Sequence, residues 1–145
     1  MPTFQTDAVK SNTRVDVAKA GEGIFRLSKY VAGSALAAND IIEAVPVPEG
    51  AIIIGLDLAW SAFGAGRTID VGDGSVLDRF FDGLDVSAAG KATLFQDGAA
   101  TGFNFQFTEE DTIDIKALGD TMPADAWIVC NVEYKMAGGI PDESF

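Results

Sequence analysis

Short segments in which apolar residues occupy every second position constrain the fold of this chain more than any other feature. One of them is 126–136 (AWIVCNVEYKM), where Ile128, Cys130, Val132 and Tyr134 share one face. Successive side chains of a β-strand point to opposite faces, so this spacing predicts a strand with one face in a core. No amphipathic pattern of helical spacing extends over twelve residues. The sequence therefore predicts a β protein.

The most regular alternation lies in 102–108 (GFNFQFT). Phe103, Phe105 and Phe107 fall on one face, and polar residues separate them. This pattern predicts a strand that turns three aromatic side chains inward.

Further strands are predicted where alternating or β-branched residues lie between glycine, proline or Asn-Asp turn signals. These segments are 13–18, 23–32, 40–45, 51–61, 67–71, 92–95 and 111–118. The apolar segment 51–61 is expected to be central in a sheet, and Ile113 and Ile115 are expected to point inward. About nine strands at this spacing predict an all-β antiparallel sandwich or jelly roll of about eight to nine strands, with at most one or two short helical turns.

The chain has 145 residues, which suits one domain. Residues 1–12 are polar and aperiodic, and they are predicted to form an extended N-terminal arm with a reach of about 40 Å. Residues 137–145 (AGGIPDESF) are predicted to form a C-terminal tail, which leaves 13–136 as the β-sandwich domain.

Charge and hydropathy exclude several classes of partner. The formal net charge is −12 and the pI is near 4.1, so the field of the protein repels nucleic-acid phosphates and acidic membrane surfaces. The longest apolar run, 51–56, falls far short of the ~20 residues of a membrane helix. The first ten residues lack the charged start and apolar stretch of a signal peptide, and none is expected.

The inventory of reactive side chains is small. The chain has no histidine, so a Ser-His-Asp or Cys-His nucleophile cannot be built within it, and zinc sites lose a common ligand. Cys130, in an apolar strand, is interpreted as a small core residue, and Trp60 and Trp127 as core or interface residues. We predict no catalytic residue, no cofactor and no metal site.

The acidic segment 68–85 (TIDVGDGSVLDRFFDGLD) permits three interpretations. Its five aspartates could bind calcium, but their spacing does not match an EF-hand loop. A catalytic carboxylate pair, as in glycoside hydrolysis, is a second hypothesis, for which no sugar platform is apparent. The third interpretation, which we favour, is structural: Gly72-Asp73-Gly74 is a turn signal between β elements.

The residues after this turn predict about two turns of helix. Ser75 and Asp78 have the spacing of a capping box. Leu77, Phe80, Phe81 and Leu84 then follow the helical spacing i, i+3, i+4, i+7. An irregular strand with Phe80 facing inward is the alternative.

Arginine is scarce in this acidic chain, and each arginine is a candidate for an ion pair with a carboxylate of a neighbouring subunit. The candidates are Arg14, Arg26, Arg67 and Arg79. The Gly64-Ala65-Gly66 segment lacks the Gly-Lys-Ser/Thr ending of a phosphate-binding loop, and it is interpreted as a hairpin turn.

The order of several motifs resembles that of small head-module proteins of tailed bacteriophages. The matching segments are 39–42 (NDII), 48–53 (PEGAII), 70–74 (DVGDG), 78–80 (DRF), 108–115 (TEEDTIDI) and the apolar strand 128–134. The resemblance extends over roughly 23–135, and Asn39 stands where glycine is common in the family. Such proteins are capsid decoration, or cement, proteins with a compact β-sandwich or jelly-roll fold.

The resemblance implies a non-enzymatic protein that decorates the outer surface of a phage capsid and bridges its major capsid subunits. It implies the major capsid protein as partner, together with copies of the chain itself in a homo-oligomer, most often a trimer. The arm and tail would then reach neighbours, with Phe4 and Phe145 as aromatic anchors. Together with Arg14, Arg67 and Arg79, these are the predicted partner-binding residues.

Two other functions stay open from the sequence. Another virion component, such as a tail, head-completion or fibre-base protein, shares the β class. A calcium- or carbohydrate-binding β-sandwich module would use the aspartates of 68–85.

Overall fold

The computed structural model describes residues 3–6, 23–31 and 36–136, and for 23–29 and 31 it describes the backbone alone. Nine strands lie in these ranges, together with a one-turn helix, α1 (Leu94–Asp97), and a 3-10 turn, Ala100–Gly102. The strands are β1 (Thr3–Gln5), β2 (Gly23–Val31), β3 (Ile41–Val47), β4 (Ala51–Trp60), β5 (Thr68–Gly72), β6 (Phe81–Asp85), β7 (Gly90–Thr93), β8 (Asp111–Leu118) and β9 (Trp127–Met136). The predicted strand 13–18 and the predicted tail 137–145 lie outside the described residues.

The strands form two sheets, which confirms the predicted all-β sandwich. One sheet has the order β1-β3-β8-β5-β6, and the other has the order β2-β9-β4-β7. The pairing is antiparallel at every described pair except β1–β3, which is parallel, with Phe4 opposite Ile42. Among the described residues, this edge pair is the one departure from the predicted antiparallel arrangement.

The two sheets share one hydrophobic core, to which β8 and β9 contribute as predicted. Ile113 and Ile115 of β8 are buried. Every second residue of β9 is also buried, namely Ile128, Cys130, Val132 and Tyr134. Alternation placed these side chains correctly because each strand packs one face on the opposite sheet.

Strand β4 is an inner strand, as expected from its apolar sequence, and its two halves have different neighbours on one side. Residues 57–60 pair with β7. Near its start, Ile53 donates its N–H to the Phe105 carbonyl at 2.9 Å, and Phe107 donates to the Ala51 carbonyl at 2.8 Å. Residues 105–107 thus pair with the start of the β4 edge, which leaves fewer exposed backbone groups there for pairing with other chains.

The predicted strand at 102–108 is wrong in spite of its regular alternation. Its backbone forms a 3-10 turn ending at Gly102 and then one isolated bridge, Ile52 to Gln106. Asn104 adopts a left-handed φ of 59°, which interrupts the extended conformation. Phe107 is buried and Phe105 half-buried, but Phe103 is exposed. Tertiary contacts with β4 therefore override the period-two pattern.

Two further predictions need correction. The strand predicted at 92–95 ends at Thr93, because the Thr93 hydroxyl accepts the Gln96 N–H and caps helix α1. The glycine-rich segment 64–66 is a turn with left-handed Gly64 and Gly66, but it connects β4 to β5 in the other sheet and is not a hairpin. In the described part of the chain, no helix has the length and apolar character to cross a membrane.

Candidate partner-binding surfaces

The acidic segment 68–85 is organised around Asp73, a residue that is 2% exposed. Its Oδ1 accepts the N–H groups of Ser75 and Val76, both at 2.8 Å, and its Oδ2 accepts Nε–H of Arg79 at 2.5 Å. A carboxylate that accepts bonds from the following backbone stabilises a turn. The structural interpretation of Gly72-Asp73-Gly74 is thus the one that the contacts support.

The helix predicted after this turn is wrong, and the alternative of an irregular strand is closer to the structure. Residues 75–80 form bends and turns, and β6 begins at Phe81. Both Phe80 and Phe81 are buried. The side chain that accepts the first N–H groups of the segment is that of Asp73, and not that of Ser75 as the capping box predicts. The backbone also approaches Gly72 so closely that an added Cβ would lie 2.0 Å from the Val76 carbonyl oxygen.

The Arg79 side chain makes its contacts with other residues of the same chain. Besides its pair with Asp73, its guanidinium carbon lies 3.7 Å from the centroid of the Phe105 ring, a cation–π contact. A small cavity of about 100 Å³ borders these side chains and Asp111. The predicted pairing of Arg79 with another subunit stays a prediction, and only 18% of the Arg79 side chain is exposed for it.

Asp114, on β8, is 6% exposed and lies among other carboxylates. Burial raises the pKa of Asp114 to about 7; the Thr112 hydroxyl bond at 2.5 Å opposes this shift, and the charges of Asp111, Glu43 and Asp73 add to it. Glu43 lies directly across from Asp114 in the β3–β8 pairing. This cluster can bind a proton near neutral pH.

The remaining chemistry of the described residues is limited. No group of three or more carboxylate or cysteine side chains in 3–6, 30 and 36–136 is arranged to hold a metal ion. Cys130 lies in the core as predicted, and burial, with a smaller contribution from Asp57, raises the pKa of its thiol to about 12. A thiol with so high a pKa is a poor nucleophile at neutral pH.

Arg67 fixes two loops to each other. Its Nε and Nη2 donate to the Thr121 carbonyl at 3.0 and 2.7 Å, and its Nη1 donates to the Ala65 carbonyl at 3.0 Å. Asp120 lies 3.9 Å from Nη2 and is well exposed. The intersubunit role predicted for Arg67 therefore competes with these carbonyl bonds and stays a prediction.

Of the other three predicted contact residues, only Phe4 lies within the described residues. Phe4 is half-buried on β1, with its ring 6.3 Å from that of Tyr30 and packed against the core. Arg14 and Phe145 lie outside the described residues. The structure thus brings none of the predicted contact residues that it describes, Phe4, Arg67 and Arg79, into a contact with one another that would form a common site.

The structure also has an exposed aromatic patch that no sequence motif predicts. Phe95 on α1 is 83% exposed and Phe103 is 48% exposed, with their ring centroids 6.2 Å apart. The two rings border a shallow depression of about 410 Å³, whose lining also includes Leu94, Gly98, Ala99 and Ala100. We call these six residues the aromatic patch. The one available signal was composition, since 94–108 contains four phenylalanines and a single charged residue, Asp97.

Comparison with known proteins gives likenesses of fold. A chain in the capsid of Ralstonia phage GP4 has a TM-score of 0.79 at 20% identity, covering 94% of this chain and 99% of that chain. A chain of the capsid asymmetric unit of cyanophage Pam1 has a TM-score of 0.60 at 21% identity, covering 87% and 95%. A chain of the acid-stable capsid of Helicobacter pylori bacteriophage KHP30 has a TM-score of 0.53 at 15% identity, covering 82% and 97%. No protein-family model and no curated protein sequence matches the chain.

Proposed function

We propose that this chain is a non-enzymatic structural protein of a bacteriophage virion that decorates the outer surface of the capsid and stabilises it by bridging major capsid subunits. The observation that carries the proposal is the likeness of fold to chains of three phage capsids, one of them at a TM-score of 0.79. The sequence motifs that resemble phage head-module proteins support the same assignment independently.

The lengths of the matched chains favour a separate, small capsid component. The likenesses cover 95–99% of the matched chains and 82–94% of this one. Each matched chain is therefore similar in length to this one, and the shared fold accounts for nearly all of it. A decoration protein has this form, because it is a compact body added to a shell that other subunits build.

The physical properties of the chain are compatible with this role. A protein that stabilises a shell by binding needs a rigid body and contact area, because binding adds to stability only through the assembled state. Two sheets on one core supply the rigid body. The net charge of −12 keeps such a protein soluble and disfavours contact with the packaged genome.

The partners in this proposal are the major capsid protein and further copies of the chain, assembled as a trimer. Phe4, Arg14, Arg67, Arg79 and Phe145 remain the predicted contact residues. Arg67 and Arg79 would have to share guanidinium groups that already bind within the chain. Their contribution to a partner contact is therefore expected to be smaller than that of a free arginine.

Electron cryo-microscopy of the phage that encodes the chain tests the proposal. We expect density that fits the two-sheet body on the outside of the head, in hundreds of copies. Density in the tail, in few copies, would assign the chain to another virion component. A head without such density would end the proposal.

A further inference from the structure

The aromatic patch contains two of the three large apolar side chains that are exposed in the described part of the chain. Phe95 is 83% exposed on a one-turn helix, and Phe103 beside it is 48% exposed. The only other large apolar side chain exposed in the described residues is Val76, at 39%. Adjacent exposed aromatic rings beside a depression are typical of a surface that another molecule covers.

The backbone beneath the patch is held in place from several directions. Thr93 and Asp97 cap α1 reciprocally, since Thr93 Oγ1 accepts the Gln96 N–H and the Asp97 carboxylate accepts the Thr93 N–H at 3.1 Å. Ala99 donates to the Phe80 carbonyl at 2.8 Å. The patch is therefore presented by a fixed segment, and binding through it would cost little ordering entropy.

Close packing under the 3-10 turn also holds the backbone of the patch in place. The Thr101 hydroxyl donates to the Arg79 carbonyl at 2.8 Å. Gly102 lies so near Phe80 that an added Cβ would be 2.4 Å from Phe80 Cδ1. The turn thus follows the buried Phe80 closely, and it leaves Phe103 pointing away from the core.

The composition of this segment matches the core of a protein–protein interface. Charged residues make up 22% of the chain, but 94–108 contains only Asp97. The same fifteen residues hold four of the ten phenylalanines. Interface cores are enriched in aromatic residues and depleted of charge in this way.

We propose that the aromatic patch is the surface by which the chain docks on the capsid shell, and that its occupant is an apolar side chain of a shell subunit flanked by lysine or arginine. This inference rests on the proposed function and adds to it the surface and the chemistry of the partner. The apolar side chain enters the depression between Phe95 and Phe103. The basic residues face Asp97 and the surrounding negative field.

Charge decides between a shell subunit and a second copy of the chain as the occupant. A second copy placed patch to patch would make a two-fold contact that brings a second Asp97 to the same interface, whereas the proposed trimer is built by other contacts about a three-fold axis. Like charges at a contact are unfavourable, whereas a basic rim on the partner complements them and accelerates association. A shell subunit with positive charge around an apolar side chain complements both the exposed aromatic rings and the negative charge of Asp97.

A binding titration on heads tests this inference. The probe is purified heads of the encoding phage, prepared from a deletion mutant so that they lack the chain, and binding is measured by co-sedimentation. We expect the double variant Phe95→Ala, Phe103→Ala to bind about 30-fold or more weakly than the wild type, because truncation of a hot-spot aromatic commonly costs that much. The control Val76→Ala, which removes exposed apolar surface from another loop, is expected to bind like the wild type.

Folding and salt dependence complete the design. The double variant should keep the wild-type far-UV circular dichroism and melting temperature, since both rings are exposed. Wild-type affinity should fall as NaCl is raised from 50 to 300 mM, as a contact with a basic rim requires. Affinity that does not change with salt would contradict the basic rim.

Each result distinguishes this inference from the proposed function. If the wild type binds heads and the double variant binds equally well, the docking surface is elsewhere while the decoration role stands. If the wild type does not bind heads at all, the decoration role fails, and this inference fails with it. If sedimentation velocity shows that the double variant lowers the native mass of the free protein, the patch binds a second copy and the inference is overturned.

Discussion

Asp73 and Asp114 illustrate two ways in which this chain accommodates buried carboxyl groups. Asp73 remains fully bonded, with two backbone N–H groups and the Arg79 guanidinium as donors. Asp114 has the Thr112 hydroxyl as donor and faces Glu43, Asp111 and Asp73. A bonded carboxylate is tolerated in the interior, whereas a crowded one binds a proton.

Asp114 makes the stability of the protein depend on pH. Its pKa is about 7 in the folded protein and near the ordinary value of 3.8 in the unfolded chain. Between these values the folded state binds more protons than the unfolded state, so stability falls as pH rises from about 4 to about 7. We expect the unfolding free energy of Asp114→Asn to gain about 2 kcal/mol on the wild type between pH 5 and pH 8.

Urea denaturation at the two pH values measures this difference. The control is Glu110→Gln, since Glu110 is exposed in the loop before β8. Its difference from the wild type should be the same at both pH values. A constant difference for Asp114→Asn would show that Asp114 is ionised throughout.

Among the elements, β5 ends at Gly72, where the backbone of Val76 and Leu77 comes into close contact with it. The loop after Asp73 folds back so that Phe80 donates its N–H to the Val71 carbonyl at 2.8 Å. This return places β6 beside β5, with Val71 opposite Phe81. Only a residue without a side chain at position 72 permits that approach.

Gly72→Ala is expected to destabilise the protein by about 3 kcal/mol. The added Cβ would lie 2.0 Å from the Val76 carbonyl oxygen and 2.4 Å from the Leu77 carbonyl carbon, so the loop backbone would have to move. Thermal or urea unfolding measures the loss. The control is Gly55→Ala on β4, where the nearest atom is a Glu133 oxygen at 3.4 Å and stability should change little. Equal stability of the two variants would mean that the loop can shift without cost.

At the scale of the whole molecule, both sheets depend on one core. Ile113 lies on β8 in one sheet and Ile128 lies on β9 in the other, and both belong to the same cluster of buried side chains. Neither sheet can keep its buried face without the other, because each would expose a row of apolar side chains to water.

We therefore expect Ile113→Ala and Ile128→Ala each to lower the unfolding free energy by about 2–5 kcal/mol. Both variants should still unfold in one transition, with equal midpoints by far-UV circular dichroism and by tryptophan fluorescence. Trp60 is buried on β4 and reports on the shared core. Separate transitions in either variant would show that the two sheets unfold independently.

Features that depend on local patterns and composition could be predicted from the order of the residues alone. Period-two spacing placed β8 and β9 and the burial of Ile113, Ile115 and Tyr134. The missing histidine and the apolar surroundings of Cys130 limited the chemistry available to the chain. These inferences hold because each depends on neighbouring residues in the chain and on little else.

Where one segment must fit against several others, contacts between residues far apart in the chain set its conformation. Phe103, Phe105 and Phe107 have the spacing of a strand. However, only Phe105 and Phe107 form backbone hydrogen bonds with β4, and Gly102 packs closely against Phe80. Phe103 is consequently turned to solvent beside Phe95. An alternating pattern predicts that three rings share a face, but the residues that surround them in the folded protein determine which rings are buried.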